Sequence, residues 1–340
     1  MKAVTTRRYG APDDVLALAD VDDPTIADDQ VLVQVHAASV NPVDWHLVRG
    51  TPYLARLKFG LRRPKVRIPG SDVAGTVRAI GPNVTSVQVG DEVFGTSFLR
   101  GFGAFAELVP LPEQLVARKP ERLTFEHAAA LPLAASTALQ ALRDHGRIAA
   151  GQRVLVVGAS GGVGTFAVQL AKSFGAEVTA VCSTRNLELV RSLGADHVLD
   201  YTTTDFTAGG PRFDLILQAA GTHSPTACRR ALERRGTLIS ISGDSTNRWI
   251  GPLDRMVAAA LRTPFVSQRM TSFTVAPNRR DLDLLADLAV RGEVVPVIDR
   301  TYPLPDAPAA IRHVEDGHTR GKAVITVVPA VAPEPHTHRS

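Results

Sequence analysis

The chain is poor in cysteine, lysine, aromatic residues and long apolar runs, and each shortage excludes something. Two cysteines, Cys182 and Cys228, cannot build a disulfide framework or a four-cysteine zinc lobe, and such usage fits a reducing cytoplasm. Apolar runs are short, as at 256–261, against the ~18 residues that a membrane-spanning helix requires. Residues 1–10 are basic without an apolar h-region, so no secretory signal is expected. Of 38 basic residues only six are lysines. The arginines are spread along the chain, which suits a solvated surface and an anionic small ligand better than a nucleic-acid footprint. What is present is ordinary: 340 residues, 44% hydrophobic and 21% charged, enough for one large domain or two with a substantial core.

The first ~110 residues read as β-rich. Short apolar or alternating stretches at 31–36, 74–80 and 92–94 are punctuated by Asn41-Pro42, Pro69-Gly70, Gly81-Pro82 and Gly90-Asp91, a spacing that suggests a small barrel. Residues 128–142 are rich in alanine and leucine and read as helix interrupted by Pro132. From Gly151 strands and helices alternate: strands at 154–157, 177–182, 197–199, 215–218 and 237–241, with helices at 162–174, 186–193 and 225–232. Such βαβ repetition predicts a parallel sheet covered on both faces. After a less regular stretch, 245–271, a helix is expected at 280–291 and β texture over 301–328; the Pro- and His-containing tail 329–340 reads as disordered.

The sharpest motif is Val154-Leu155-Val156-Val157-Gly158-Ala159-Ser160-Gly161-Gly162-Val163-Gly164, a buried strand running through glycines into a helix. This is the arrangement a dinucleotide requires: Gly161 admits the pyrophosphate to the backbone, Gly164 permits close helix–strand packing, and the helix N-terminus at Gly162 and Val163 offers N–H groups and positive dipole. In the G-x-G-x-x-G frame Ala159 replaces the first glycine. The end of the second strand, Cys182-Ser183-Thr184-Arg185, lacks the acid that grips a free ribose 2′-hydroxyl. Two hydroxyls and a guanidinium suit a 2′-phosphate, so NADP(H) is the expected cofactor, with helix capping as the alternative use of Ser183 or Thr184.

These motifs, together with Ala38-Ser39-Val40-Asn41-Pro42-Val43-Asp44, Ile68-Pro69-Gly70-Ser71-Asp72-Val73-Ala74-Gly75, Gly90-Asp91-Glu92-Val93-Phe94-Gly95 and Leu193-Gly194-Ala195-Asp196, resemble the medium-chain dehydrogenase/reductases, in their zinc-free quinone oxidoreductase-like branch, over roughly residues 1–328. The resemblance implies a GroES-like β-barrel domain at 1–127, a Rossmann doubly wound parallel-sheet domain at 128–272, a C-terminal return to the barrel domain at 273–328, and an active site in the cleft between them. Where zinc alcohol dehydrogenases of the superfamily place ligands, this chain has Asn41, Ser71 and Asp72, a poor set for zinc. No metal is therefore expected.

The resemblance also implies site residues. Asn41 falls near the nicotinamide, where its amide either donates to a substrate oxygen or fixes the turn before Pro42. Tyr53 is a candidate donor in the cleft or a packed loop aromatic. Thr137 corresponds to a hydroxyl near the nicotinamide, Tyr201 to a tyrosine beside the adenosine phosphate, and Ala220, Gly221 and Thr222 to the loop passing the nicotinamide ribose. Phe273 walls the nicotinamide pocket or belongs to the core. Arg320 and Lys322, in His318-Thr319-Arg320-Gly321-Lys322, could reach cofactor phosphate, with Ser160 completing the glycine turn. Without zinc, carbonyl polarisation falls to hydrogen-bond donors. That favours hydride delivery to a small-molecule quinone or α,β-unsaturated carbonyl by an NADPH-dependent reductase. An NADP-dependent alcohol dehydrogenase or ketone reductase, and a cofactor-binding protein without turnover, are the alternatives. A homodimer is a family expectation.

Overall fold

In the computed structural model the described residues are 1–221, 223–241, 249, 251 and 267–327. Thr222, the tail 329–340 and most of the irregular stretch 245–271 therefore lie outside the described residues.

The N-terminal strands are β1 (Lys2–Thr6), β2 (Leu16–Asp20), β3 (Gln30–Ser39), β4 (Asp72–Ile80), β5 (Glu92–Thr96), β6 (Leu108–Pro112) and β7 (Val116–Arg118). β1 and β2 form an antiparallel pair. β3 is the hub: it pairs antiparallel with β4 and with β6. Its burial alternates along most of its length, with Val31, Val33 and Val35 wholly inside, as a half-buried antiparallel strand requires. Valines from β3, β4 and β5 meet Phe105 and Leu111 in one core.

The central strands are β8 (Arg153–Val157), β9 (Glu177–Cys182), β10 (His197–Asp200), β11 (Phe213–Gln218), β12 (Leu232–Ser240) and β13 (Arg269–Ser272). They form one parallel sheet in the order β10-β9-β8-β11-β12-β13. Order reverses between β8 and β11, so the crevice for a dinucleotide opens at their carboxyl ends. Both faces are buried. Val154 and Val156 pack with Phe166 and Leu170 of the helix Gly162–Ser173, while Leu155 and Val157 pack with Ile216 and Leu238 on the other side. The first of these cores is continuous with Ala37, Ala74 and Phe94 of the barrel, so the two layers share apolar packing.

The chain then returns. β14 (Ile298–Pro303) pairs parallel with β15 (Lys322–Thr326), and β15 pairs antiparallel with β3. The β texture expected over 301–328 is interrupted by a helix, Ala307–Glu315, whose Ala307, Ala310 and Ile311 are buried at helical spacing. The expected helix at 128–142 divides at Pro132 into Phe125–Ala130 and Pro132–Gln140, as proline at a helix start dictates.

Candidate active site

The glycine turn follows β8 directly. Gly158 takes φ +82°, a conformation that glycine supplies without strain. The tight turn assigned to the first glycine of the motif is thus made one residue earlier, and Ala159 is fully buried in the core. A Cβ at Gly164 would lie 2.1 Å from the Gly158 carbonyl oxygen, so only glycine lets the helix pack here. A Cβ at Gly161 would meet only the Gly158 oxygen, at 3.5 Å, so that face is open. Gly161 is the helix N-cap and supplies no side-chain cap to the first N–H groups. Gly321 N–H donates to the Ser160 carbonyl at 2.8 Å, tying the loop before β15 to the turn.

At the end of β9, Arg185 and Arg320 interlock. Arg185 donates to the His318 carbonyl at 3.0 Å and Arg320 to the Arg185 carbonyl at 3.3 Å, with both guanidiniums at the surface. Thr184 is a correction: its hydroxyl donates to Asp200 at 2.5 Å, leaving it no proton for a ligand. Asp200, on the neighbouring strand, also accepts from the Thr202 hydroxyl and N–H, and these hydrogen bonds hold its carboxyl below the usual range. Tyr201 stands next to it and is exposed. The sequence reading missed Asn186. Its Nδ2 donates to Ser160 Oγ at 2.8 Å and Ser183 Oγ at 3.2 Å, and its buried Oδ1 has no partner. It joins the glycine turn to the strand end.

Two cavities meet at the carboxyl ends of β8 and β11. One, of about 450 Å³, is lined by the glycine turn, Thr137, Ala220, Phe273, Asn41 and Lys322. The other, of about 470 Å³, is mainly apolar, with Val43, Leu47, Phe59, Leu238 and Met270 in its wall and Gly221 at its edge. Pro42, Val43, His46, Ile241, Phe273 and Thr274 belong to both walls. Phe273 stacks on His145 at 4.1 Å between centroids, which fixes it as a partition. Thr137 turns its proton back to the Leu133 carbonyl, 2.6 Å away, and presents only an acceptor to the cavity. Tyr53 is a correction. It lies in neither wall; its ring is held under Arg56 at 4.8 Å and edge-on to Trp249 at 5.2 Å. The phenol in the apolar cavity belongs to Tyr9, and it donates to the Gly60 carbonyl at 2.6 Å.

Lys322 departs from expectation and is joined to Asn41. Lys322 passes its stem over Gly162 but ends its ammonium on Asn41 Oδ1 at 2.6 Å and the Val40 carbonyl at 3.0 Å, not on the phosphate turn. Asn41 Nδ2 donates to Asp72 at 2.9 Å. The amide is therefore spent as a bridge between a buried cation and a buried carboxylate, and is no free donor for substrate. Asn41 stands at the N-cap of the helix Pro42–Arg49. Asp44, fully buried, accepts from Asn41 N–H at 2.8 Å and Gly70 N–H at 3.1 Å. Burial pushes its carboxyl up to about 7, against those hydrogen bonds, with the Asp72 charge adding to the rise. Burial also raises Asp72, opposed by Lys322, and lowers Lys322, opposed by both carboxylates.

This cluster occupies the positions that would hold zinc. An amide, a hydroxyl, one carboxylate and an ammonium are not a zinc ligand set, so the residues do not fit the metal. The glycine turn does fit a dinucleotide: an open Gly161 face and an uncapped helix N-terminus line one crevice. Both thiols are buried, and burial raises each to about 11, which makes them inert.

Fold and crevice together define a nicotinamide-nucleotide-dependent oxidoreductase with a GroES-like domain and a Rossmann domain. Residues 27–121 match the alcohol dehydrogenase GroES-like domain family and residues 193–325 the zinc-binding dehydrogenase family. The chain is 34% identical to a chloroplast envelope quinone oxidoreductase homolog of Arabidopsis thaliana, over 96% of this chain and 98% of that one. It is 35% identical to a 2-methylene-furan-3-one reductase of Solanum lycopersicum, over 97% and 80% of the two chains. The structure of the quinone oxidoreductase from Coxiella burnetii superposes with a TM-score of 0.86 at 32% identity, covering 96% of this chain and 99% of that one. The chain belongs to the quinone oxidoreductase-like members of the medium-chain dehydrogenase/reductase superfamily.

Proposed function

We propose that this protein is an NADPH-dependent reductase that delivers hydride to a quinone or α,β-unsaturated carbonyl without zinc. The observation that carries the reading is the apolar cavity joined to the dinucleotide crevice across Phe273 and Thr274, beside a metal position closed by Lys322, Asn41 and Asp72. The names of the quinone oxidoreductase homolog and the furanone reductase are in keeping with it. NADPH, when bound, supplies the hydride. The protein's own residues align the acceptor in the apolar cavity, keep water out, and leave protonation of the product oxygen to the shared wall. His46 is the titratable side chain on that wall among the described residues, and its Nδ1 lies 3.0 Å from the Thr51 carbonyl, which orients the ring. The test is NADPH oxidation against a panel of quinones, enones, ketones and alcohols, with and without chelator. Turnover of quinones or enones that survives chelation is expected. Activity confined to alcohols and ketones, or tight NADPH binding with no turnover, would sink the proposal.

The cofactor preference is proposed from Arg185 and Arg320. A charge-assisted hydrogen bond to a 2′-phosphate contributes ~1.5–3 kcal/mol, and surface exposure places this pair at the lower end. Arg185→Ala is expected to weaken NADPH by about tenfold and to leave NADH nearly unchanged. Dissociation constants for both cofactors at one ionic strength decide it; equal weakening of the two would assign Arg185 a structural role.

A further inference from the structure

The segment that walls the apolar cavity has a second side. Pro52, Ala55, Arg56 and Phe59 face the cavity. Leu54, Leu57 and Leu61, interleaved with them, are 44%, 66% and 67% exposed. Trp249, 71% exposed, is joined to this segment by the Leu54 N–H bond to its carbonyl at 2.9 Å. Leu99 is exposed on a neighbouring loop, which reaches the segment through the edge contact of Phe102 with Phe59. These are five of the ten large apolar side chains exposed among the described residues. Single exposed leucines need no explanation, but a gathered set marks an interaction surface.

Charge identifies the partner. Between Asp44 and Asp72 the sequence holds no carboxylate, while Arg56, Lys58, Arg62, Arg63, Lys65 and Arg67 fall within twelve positions. Composition hides this cluster because arginines are numerous elsewhere. Lys58, Arg62, Arg63 and Lys65 are exposed and form no ion pair among the described residues. Leucines and a tryptophan set among unpaired cations match the boundary of an anionic bilayer, where apolar side chains enter between headgroups and cations meet phosphates.

We propose that this face docks the protein on an anionic lipid surface, placing the outer wall of the apolar cavity against the bilayer. The docking is independent of the reductase reading; the corollary, that the cavity draws an apolar acceptor from the lipid, rests on it. The full chain is sedimented with vesicles of phosphatidylcholine alone and of phosphatidylcholine with about one third phosphatidylserine, and turnover is measured separately with a short-chain, water-soluble quinone. Binding to the anionic vesicles is expected to exceed that to neutral ones by tenfold or more, and to be lost at about 0.5 M salt. The double variant Leu57→Glu/Leu61→Glu is expected to lose vesicle binding by about tenfold or more while keeping its turnover of the soluble quinone. Equal binding of wild type and variant, or no vesicle binding at all, overturns the proposal. So does binding of a single-stranded oligonucleotide with indifference to lipid, or self-association that the variant abolishes without any lipid binding. Failure of the reductase reading would instead show as absent turnover with vesicle binding intact.

Discussion

Replacing Lys322 by methionine is expected to destabilise the protein by roughly 3–5 kcal/mol, the cost of leaving a buried charge without its partner. Methionine keeps the stem that crosses Gly162 but removes the ammonium that Asn41 Oδ1 and the Val40 carbonyl accept from. Two buried carboxylates, Asp72 and Asp44, then face no cation. The defect should depend on pH in a definite direction. The Asp44 carboxyl already titrates at about 7 in the folded protein, against 3.8 unfolded, so between those values the folded chain binds more protons and stability falls as pH rises. Removing Lys322 raises both carboxyls further, so the loss should be greater at pH ~8 than at pH ~5, where protonation relieves the unpaired charge. Adding Asp72→Asn should recover about 1–3 kcal/mol, read as the coupling energy of a double-mutant cycle in urea unfolding. A Lys322→Met protein as stable as wild type at both pH values, or a cycle with no coupling, would show that the amide bridge carries no electrostatic load.

That cluster was the least legible part of the site. The motif around Lys322 directs it to a cofactor phosphate, and only the pairing of β15 with β3 carries it inward to Asn41. Tyr9 was missed for the same reason: it approaches Gly60 from about fifty positions away, and local pattern has no term for such a contact. Ser183, Thr184 and Arg185 follow one strand in the sequence, whereas Asp200 takes the Thr184 hydroxyl from the next strand of the sheet. The parallel sheet itself was plain in the sequence. β9 has the bounds expected of it, and β8 is a run of apolar residues that only a strand buried on both faces explains. The helix Ala307–Glu315 was obscured because its buried face is built of alanine and one isoleucine, with Pro308 in its first turn and strands on either side.

The second large effect separates two glycines that the motif treats alike. Gly164→Ala is expected to cost the fold about 3 kcal/mol, at the severe end of overpacking, because the new methyl would stand 2.1 Å from the Gly158 oxygen and 2.7 Å from the Ala159 Cα. These are backbone atoms and cannot rotate away, so the helix must shift, and cofactor binding should be lost together with stability. Gly161→Ala meets no such obstacle. Its φ is −83°, ordinary for any residue, and its Cβ would find one protein atom at 3.5 Å. Stability should therefore fall by only about 0.5–1 kcal/mol, the preference of an N-cap for glycine over alanine. The methyl would, however, fill the face on which the pyrophosphate is proposed to lie, and NADPH affinity should fall by about a hundredfold, ~2.7 kcal/mol. Urea unfolding and a fluorescence titration of NADPH on both variants make the comparison. A Gly161→Ala protein that folds and binds NADPH as wild type does would move the pyrophosphate off this turn, whatever Gly164→Ala does to the helix.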